Sequence, residues 1–234
     1  MSTVDWLLGS PLFPLLLTLL AYQLGRAVHA RSGGHALAQP VLVAVVLVGA
    51  VLLLLDADVG DYLDGTAALT FLLGPATVAL AVPLHRQAHR LRSLLLPLAV
   101  GVPLGAVVSV GSAVLLARAL GGDELLQRTL APKAATTPVS IALSDTAGGI
   151  PELTAALTIV AGILGAVAGP AVLTLLRVRA RTARGIALGA VSHGIGTSRA
   201  LAEDRTEGAF SGLSMGLTAL ATSLVLPLVL ALLL

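Results

Sequence analysis

Residues 132–152 read Pro-Lys-Ala-Ala-Thr-Thr-Pro-Val-Ser-Ile-Ala-Leu-Ser-Asp-Thr-Ala-Gly-Gly-Ile-Pro-Glu. Apolar runs flank this stretch on both sides, yet it carries hydroxyls, charges, paired glycines and three prolines. A proline inside a helix removes one N–H and obstructs the carbonyl a turn earlier. In lipid, a carbonyl freed in this way must find a protein partner or line a water-filled cavity. Residues 122–150 are therefore expected to be irregular, either re-entrant or divided by a short extra crossing before Pro138.

The rest of the chain supports a membrane setting. Of 234 residues, 56% are hydrophobic and 11% charged, and the mean hydropathy is +0.98. A soluble domain carries about 25% charged residues, so this surface cannot be solvated all round. Apolar windows of about 20 residues, enough to span a bilayer as helices, recur throughout. The alternating pattern of a membrane β-barrel is absent from the sequence. We read spans at 6–25, 37–55, 64–84, 94–117, 153–176, 184–202 and 208–233. The first lacks a basic leader and reads as a mature span rather than a cleaved signal.

The expected fold class is all-α: a polytopic bundle of about 7–9 membrane segments in a single membrane domain, 1–234. Within it lie N-terminal spans (1–60), a first repeat (64–120), a second repeat with the site motifs (122–202) and a last span (208–234). The chain has no cysteine, which excludes disulfides and thiolate metal sites. No metal or cofactor is expected. Aromatics make up 3%, so nucleic-acid binding has little support.

Basic residues fall in short loops, which tend to be cytoplasmic. Loop 26–35 holds Arg26 and Arg31, loop 85–92 holds Arg86, Arg90 and Arg92, and loop 177–184 holds Arg177, Arg179, Arg181 and Arg184. Loop 56–64 holds four aspartates and no base. The first three of these in chain order alternate properly for an outside N-terminus. The four-arginine loop returns to the cytoplasm only if 122–150 does not cross once.

Two segments read alike: Pro75-Ala-Thr77-Val-Ala-Leu-Ala81 and Pro138-Val-Ser140-Ile-Ala-Leu-Ser144. Each precedes a span containing Leu-Gly-Ala-Val, at 104–107 and 164–167. The pairing predicts an inverted repeat with Pro-broken helices, whose half-helix N-termini suit an anionic substrate.

Two polar constellations follow. In the first, Thr136, Thr137 and Ser140, with Thr77 from the other copy, are candidate substrate ligands. Asp145 and Glu152 are candidate proton carriers, and Lys133 reads equally as a snorkelling interfacial cation. The second is Ser192-His193-Gly-Ile-Gly-Thr197-Ser-Arg199. On an intact helix Ser192, Gly196, Arg199 and Glu203 share a face, and His193 stacks on Thr197. Arg199 is a candidate carboxylate clamp, and His193 a candidate ligand and proton carrier. The competing reading pairs Arg199 with Glu203 and His193 with a nearby carbonyl. Gly165 and Gly169, and Gly208, Gly212 and Gly216, read as close-packing seams, compatible with a homodimer.

From about residue 70 to 234 the chain resembles the LrgB/CidB family. The matching residues include Pro132-Lys133-x-x-Thr136-Thr137-Pro138, Gly148-Gly149-Ile150-Pro151, Gly165-Ala166-Val167-x-Gly169-Pro170, Ser192-His193-x-Ile195-Gly196-Thr197-x-Arg199 and Glu207-Gly208-Ala209-Phe210-Ser211-Gly212. At Ser144-Asp145-Thr146 the chain is more acidic than many relatives, which weakens transfer of a role to Asp145. The resemblance implies two competing roles. One is transport of short hydroxy- or keto-carboxylates of the glycolate, glycerate and pyruvate type, as in the plastidic glycolate/glycerate translocator. The other is a holin- or antiholin-like regulator of murein hydrolase export and lysis. It also implies a bacterial cell-membrane location and a small LrgA/CidA-type partner. The broken helices and the His193/Arg199 pair favour proton-linked transport. No H-E-x-x-H, G-x-S-x-G or paired catalytic aspartates are found, so an enzyme is not expected.

Overall fold

The computed structural model describes residues 10, 12–32, 38, 40–79 and 88–234. The described residues form an all-α fold with no strand. The chain divides into two compact units, Met1–Ala79 and Leu80–Leu234.

In the first unit, helix α1 (Leu12–Arg31) packs on α2 (Pro40–Leu54), and the short α3 (Val59–Gly65) leads to α4 (Ala67–Ala79). Gly25 lets α1 approach the backbone of Pro40. Thr18 Oγ1 lies 2.7 Å from the hydroxyl of Tyr62, tying α1 to α3. The aspartate-rich loop contains α3, whose N-terminus is capped by Asp58 accepting from the Asp61 N–H at 3.1 Å. The first basic loop begins later than expected, since α1 runs on through Arg26 to Arg31. Pro75 lies inside α4, which continues to Ala79. The two prolines of the sequence repeat therefore do different things: Pro75 is interior, and Pro138 starts a helix.

The second unit contains α5 (Ala88–Ala119), α6 (Glu124–Leu130), α7 (Thr137–Thr146), α8 (Pro151–Leu175), α9 (Arg181–Glu203) and α10 (Arg205–Leu233). Residues 94–119 of α5, and α8 and α10, are long and apolar enough to cross a bilayer; α1 is the fourth such helix among the described residues. Helices α5 and α10 run side by side in the same direction. Leu98, Val102 and Ala106 pack on Ala221 with Leu213 and Leu217 alongside. Further along, Val110 and Val114 meet Leu226 and Leu230. Arg118 Nη1 then donates to the Leu233 carbonyl at 3.3 Å.

Residues 122–150 do not cross. Asp123 caps α6 by accepting from the Leu126 N–H at 2.8 Å, and α6 brings Ala131 to the level of Val110 and Val114. The chain turns at 132–136 and returns along α7. Ser140 Oγ lies 2.7 Å from the Pro132 carbonyl, Arg128 Nη1 donates to the Ala147 carbonyl at 2.7 Å, and the Ile150 N–H donates to Thr129 Oγ1 at 3.0 Å. The pairs 128 with 147 and 132 with 140 define an antiparallel helical hairpin, open where α5 ends and α8 begins. The re-entrant alternative read from the sequence is the one adopted.

Span 184–202 does not follow the sequence reading of an intact helix. His193 has φ 41 and ψ −132, and the chain reverses there. Gly185 abuts Glu207 and Gly189 abuts Ser211, so Arg181–Ser192 runs parallel to α10. Beyond the break, Thr197 meets Ser211 and Leu201 meets Gly208, so Gly194–Glu203 runs antiparallel to it. A Cβ at Gly196 would lie 2.7 Å from the Leu188 carbonyl, whereas eight residues of straight helix span about 12 Å. Helix α9 is thus a second re-entrant hairpin, opening where α8 ends. Because the α6–α7 hairpin does not cross, the four-arginine loop lies at the same end as Arg90 and Arg92 at the start of α5, as the basic-loop bias requires.

Candidate functional site

Helix α8 serves as a common ruler for both hairpins. Thr154 Oγ1 sits 2.6 Å from Ser144 Oγ and 2.8 Å from the Thr129 carbonyl. Thr137 is seven residues deeper along α7, about 10 Å at 1.5 Å per residue, which brings it near the level of residue 161. From the other side, His193 Nε2 lies 3.0 Å from the Thr158 carbonyl, and Ser192 and Leu188 pack over Gly165 and Gly169. The two hairpin tips therefore reach the same depth, roughly two-fifths of the way along α8.

Each tip presents a helix N-terminus. In α7, Thr136 is the N-cap but makes no side-chain cap hydrogen bond, and Pro138 occupies the first turn. The first-turn N–H groups are consequently left for other acceptors. The half-helix starting at Gly194 points its N-terminus inward from the opposite side. Lys133 lies half-buried in the α6–α7 turn and has no ion pair or hydrogen bond of its side chain among the described residues. An intramembrane cation beside the α7 N-terminus makes an anion-favouring locus.

The histidine is held in detail. A carbonyl only accepts, so Nε2 carries the hydrogen bonded to Thr158, which leaves Nδ1 as the titrating nitrogen. Thr197 Oγ1 donates to the His193 carbonyl at 2.8 Å and lies 2.9 Å from Ser211 Oγ. The imidazole fills the space a side chain at Gly162 would need, since a Cβ there would overlap the ring. A histidine at positive φ costs on the order of 1–3 kcal/mol and persists where its surroundings hold it, often at functional sites.

The sequence-predicted residues separate into three groups. His193, Ser192, Thr197, Thr136 and Thr137 lie at the tips. Ser192 Oγ, packed on Gly165, is buried and has no hydrogen-bond partner, and Thr158 Oγ1, two turns away on α8, is likewise buried and unpartnered. Ser140 is buried but committed to the hairpin turn, with its hydroxyl 2.7 Å and 3.2 Å from the carbonyls of Pro132 and Ala135. Arg199, Asp145 and Glu152 lie elsewhere. The break at His193 removes Arg199 from the expected common face with Ser192, and it pairs with Glu203 at 2.8 Å. Its Nη1 is buried without a hydrogen bond. Asp145 and Glu152 are exposed at the open end of the α6–α7 hairpin. Thr77 lies in α4 of the first unit, and its side chain falls outside the described residues.

Several residues were missed. Thr154 and Thr158 line the α8 face at helical spacing, and Ser211, Ser214, Thr218 and Thr222 form a buried hydroxyl stripe on α10. Ser214 donates to the Ile186 carbonyl at 2.8 Å, while Thr218 and Thr222 hydroxyls are buried without partners. The i, i+4 recurrence of hydroxyls within apolar spans was the available signal. Glu207, fully buried, was also missed as a structural clamp. Arg181 Nη1 donates to its Oε2 at 2.9 Å, and Arg184 Nε faces its Oε1 at 3.6 Å. The Arg181 pKa is raised, first by that hydrogen bond and then by the Glu207 charge. The Asp204 carboxylate caps α10 by accepting from the N–H groups of Thr206 and Glu207 at 2.8 and 2.9 Å. No group of three or more His, Asp or Glu able to hold a metal occurs among the described residues.

Helices that span, combined with opposed re-entrant hairpins, define a polytopic α-helical membrane protein with a polar interior. The chain belongs to the LrgB-like family, whose model matches residues 18–232. It is 37% identical over 190 residues to the uncharacterized protein YxaC of Bacillus subtilis, covering 81% of this chain and 83% of that one. With the uncharacterized protein YwbG of the same organism it shares 34% over 217 residues, covering 93% and 96%. With the antiholin-like protein LrgB of Bacillus mycoides it shares 28% over 219 residues, covering 94% and 95%. No solved structure matches the chain.

Proposed function

We propose that the protein is a secondary carrier of small hydroxy- or keto-carboxylates in the cytoplasmic membrane, working by alternating access with proton coupling. The reading rests on one observation: two oppositely directed hairpins bring two helix N-termini to one depth beside α8. Pairs of discontinuous helices at mid-bilayer are how many carriers hold an anion against exposed N–H dipoles. The carboxylate of the substrate meets the N–H groups of the α7 first turn and the Lys133 ammonium. Its hydroxyl or keto oxygen meets one of two unpartnered hydroxyls, that of Ser192 or that of Thr158, and His193 Nδ1 takes the coupled proton. The Arg199 clamp and proton roles for Asp145 and Glu152 lose support from their positions.

The names of relatives favour a second reading. Proteins called antiholin-like LrgB cover nearly the whole chain, which fits a regulator of lysis acting with a small membrane partner. One assay separates the two. In reconstituted vesicles, a carrier accumulates labelled glycolate, glycerate or pyruvate with saturation and counterflow, and loses this in Thr137→Val or His193→Ala. Absence of saturable uptake across this panel, with or without leakage of unrelated dyes, rejects the carrier and leaves the antiholin-like role.

A further inference from the structure

A second polar locus lies away from the hairpin tips. The loop between α8 and α9 encloses a cavity of about 430 Å³ lined by Thr174, Arg177, Val178, Arg179, Arg181 and Arg184. Arg177 reaches it from a left-handed backbone position, φ 58, just past the end of α8. Glu207 engages Arg181 and Arg184, and Asp204 and Glu203 act on Arg181 from the α9–α10 junction. Arg177 and Arg179 are left over. Both are exposed, and neither has an ion pair or side-chain hydrogen bond among the described residues. One concave site thus carries four guanidinium groups and a single buried carboxylate.

Topology anchoring alone requires positive charge near the membrane, not a cavity. We propose that this cavity binds a phosphate-bearing anion, with the planar guanidinium forks of Arg177 and Arg179 supplying paired donors to its oxygens. Thr174, whose hydroxyl lies 3.3 Å from Arg184 Nη1, closes the membrane side. The anion is either an anionic lipid headgroup or a soluble phosphate compound. Leu175 and Leu176, 82% and 67% exposed beside the cavity, offer an acyl chain a continuous apolar path from the headgroup site. Basic pockets at the cytoplasmic edge of a bundle bind anionic headgroups by this combination. Because Arg181 and Arg184 also hold Glu207, the site sits at the root of the hairpin that carries His193.

The test uses full-length protein in neutral detergent, titrated with dioctanoyl phosphatidylglycerol, dioctanoyl phosphatidylcholine or inorganic phosphate. Bound adducts are counted by native mass spectrometry, and the unfolding midpoint is followed in parallel. Phosphatidylglycerol is expected to bind one per chain and saturably. Arg177→Gln/Arg179→Gln, which spares the Glu207 clamp, is expected to weaken it about 10- to 30-fold, from roughly one surface-charge interaction per arginine. Arg31→Gln, at the end of α1, leaves binding unchanged. Displacement of the lipid by inorganic phosphate identifies a soluble phosphate compound as the ligand, and failure to displace it identifies the headgroup. Equal binding of the two lipids, or undiminished phosphatidylglycerol binding in the double variant, overturns the proposal.

Discussion

The two re-entrant hairpins reach the same depth by different means. The α6–α7 hairpin turns over five residues, and its buried hydroxyls are satisfied. Ser140 closes on the turn carbonyls, and Thr129, Ser144 and Thr154 bond one another. The α9 hairpin turns on one strained residue, His193, with glycines on either side of its packing seam. Around it Ser192 and Thr158 hydroxyls remain unpaired, and its root is fixed by a buried carboxylate between two arginines. A satisfied hairpin is a wall; a strained hairpin with unpaired donors is poised for a ligand, because buried unpaired polar groups are costly until something meets them. The contrast assigns the fixed half of the site to α6–α7 and the responsive half to α9.

The largest expected effect strikes the root of the α9 hairpin. Glu207→Ala leaves Arg184 beside an empty polar position and removes the partner of Arg181. Arg184, 12% exposed, then lacks its countercharge, so the unfolding midpoint in detergent should fall sharply. A midpoint within a degree of the parent would show that this root is not clamped. Next comes the turn itself. His193→Gly accepts the positive φ that His193→Ala does not. Both should reduce carboxylate uptake by about 10-fold or more, the worth of a hydrogen bond to a charged group. Both lose the buried ring and its hydrogen bond, and the alanine variant, which keeps a Cβ at positive φ, should lose more stability than the glycine variant. Equal stability in the two would remove the claim that the turn is strained.

Smallest is the pair Ser140→Ala and Ser192→Ala. The first removes a satisfied hydroxyl and costs about 1 kcal/mol of stability with little change in substrate affinity. The second removes an unpaired hydroxyl and should leave stability unchanged or slightly improved while raising the uptake KM. A reversed pattern would exchange the two hairpins' roles.

Much of this was legible in the residues. Prolines 132 and 138 with their flanking hydroxyls, and the position of the four-arginine loop, predict that 122–150 is not one plain crossing but either re-entrant or divided by a short extra crossing, and the re-entrant form is the one adopted. The second hairpin was not legible in the same way. Span 184–202 contains no proline, and the glycines at 194 and 196 read as weak points in a helix rather than as a reversal. The reversal depends on Gly185, Gly189 and Gly208 letting three segments approach, which is a tertiary condition without a local pattern. Arg199 was misplaced for the same reason, since a face computed on a straight helix has no meaning across a fold-back. The paired role given to Pro75 and Pro138 came from matched letters. Similar short strings start a helix in one place and sit inside one in another.

Neither hairpin changes which compartment the following residue occupies, so the parity of crossings differs from a count of apolar segments. The natural absence of cysteine supplies a ready background for reading that parity. Single thiols introduced at Gly121 and Gly148 would face one aqueous phase and react with an impermeant maleimide together. Thiols at Arg179 and Asp204 would face the opposite phase, protected in intact cells from the reagent that reaches the first two.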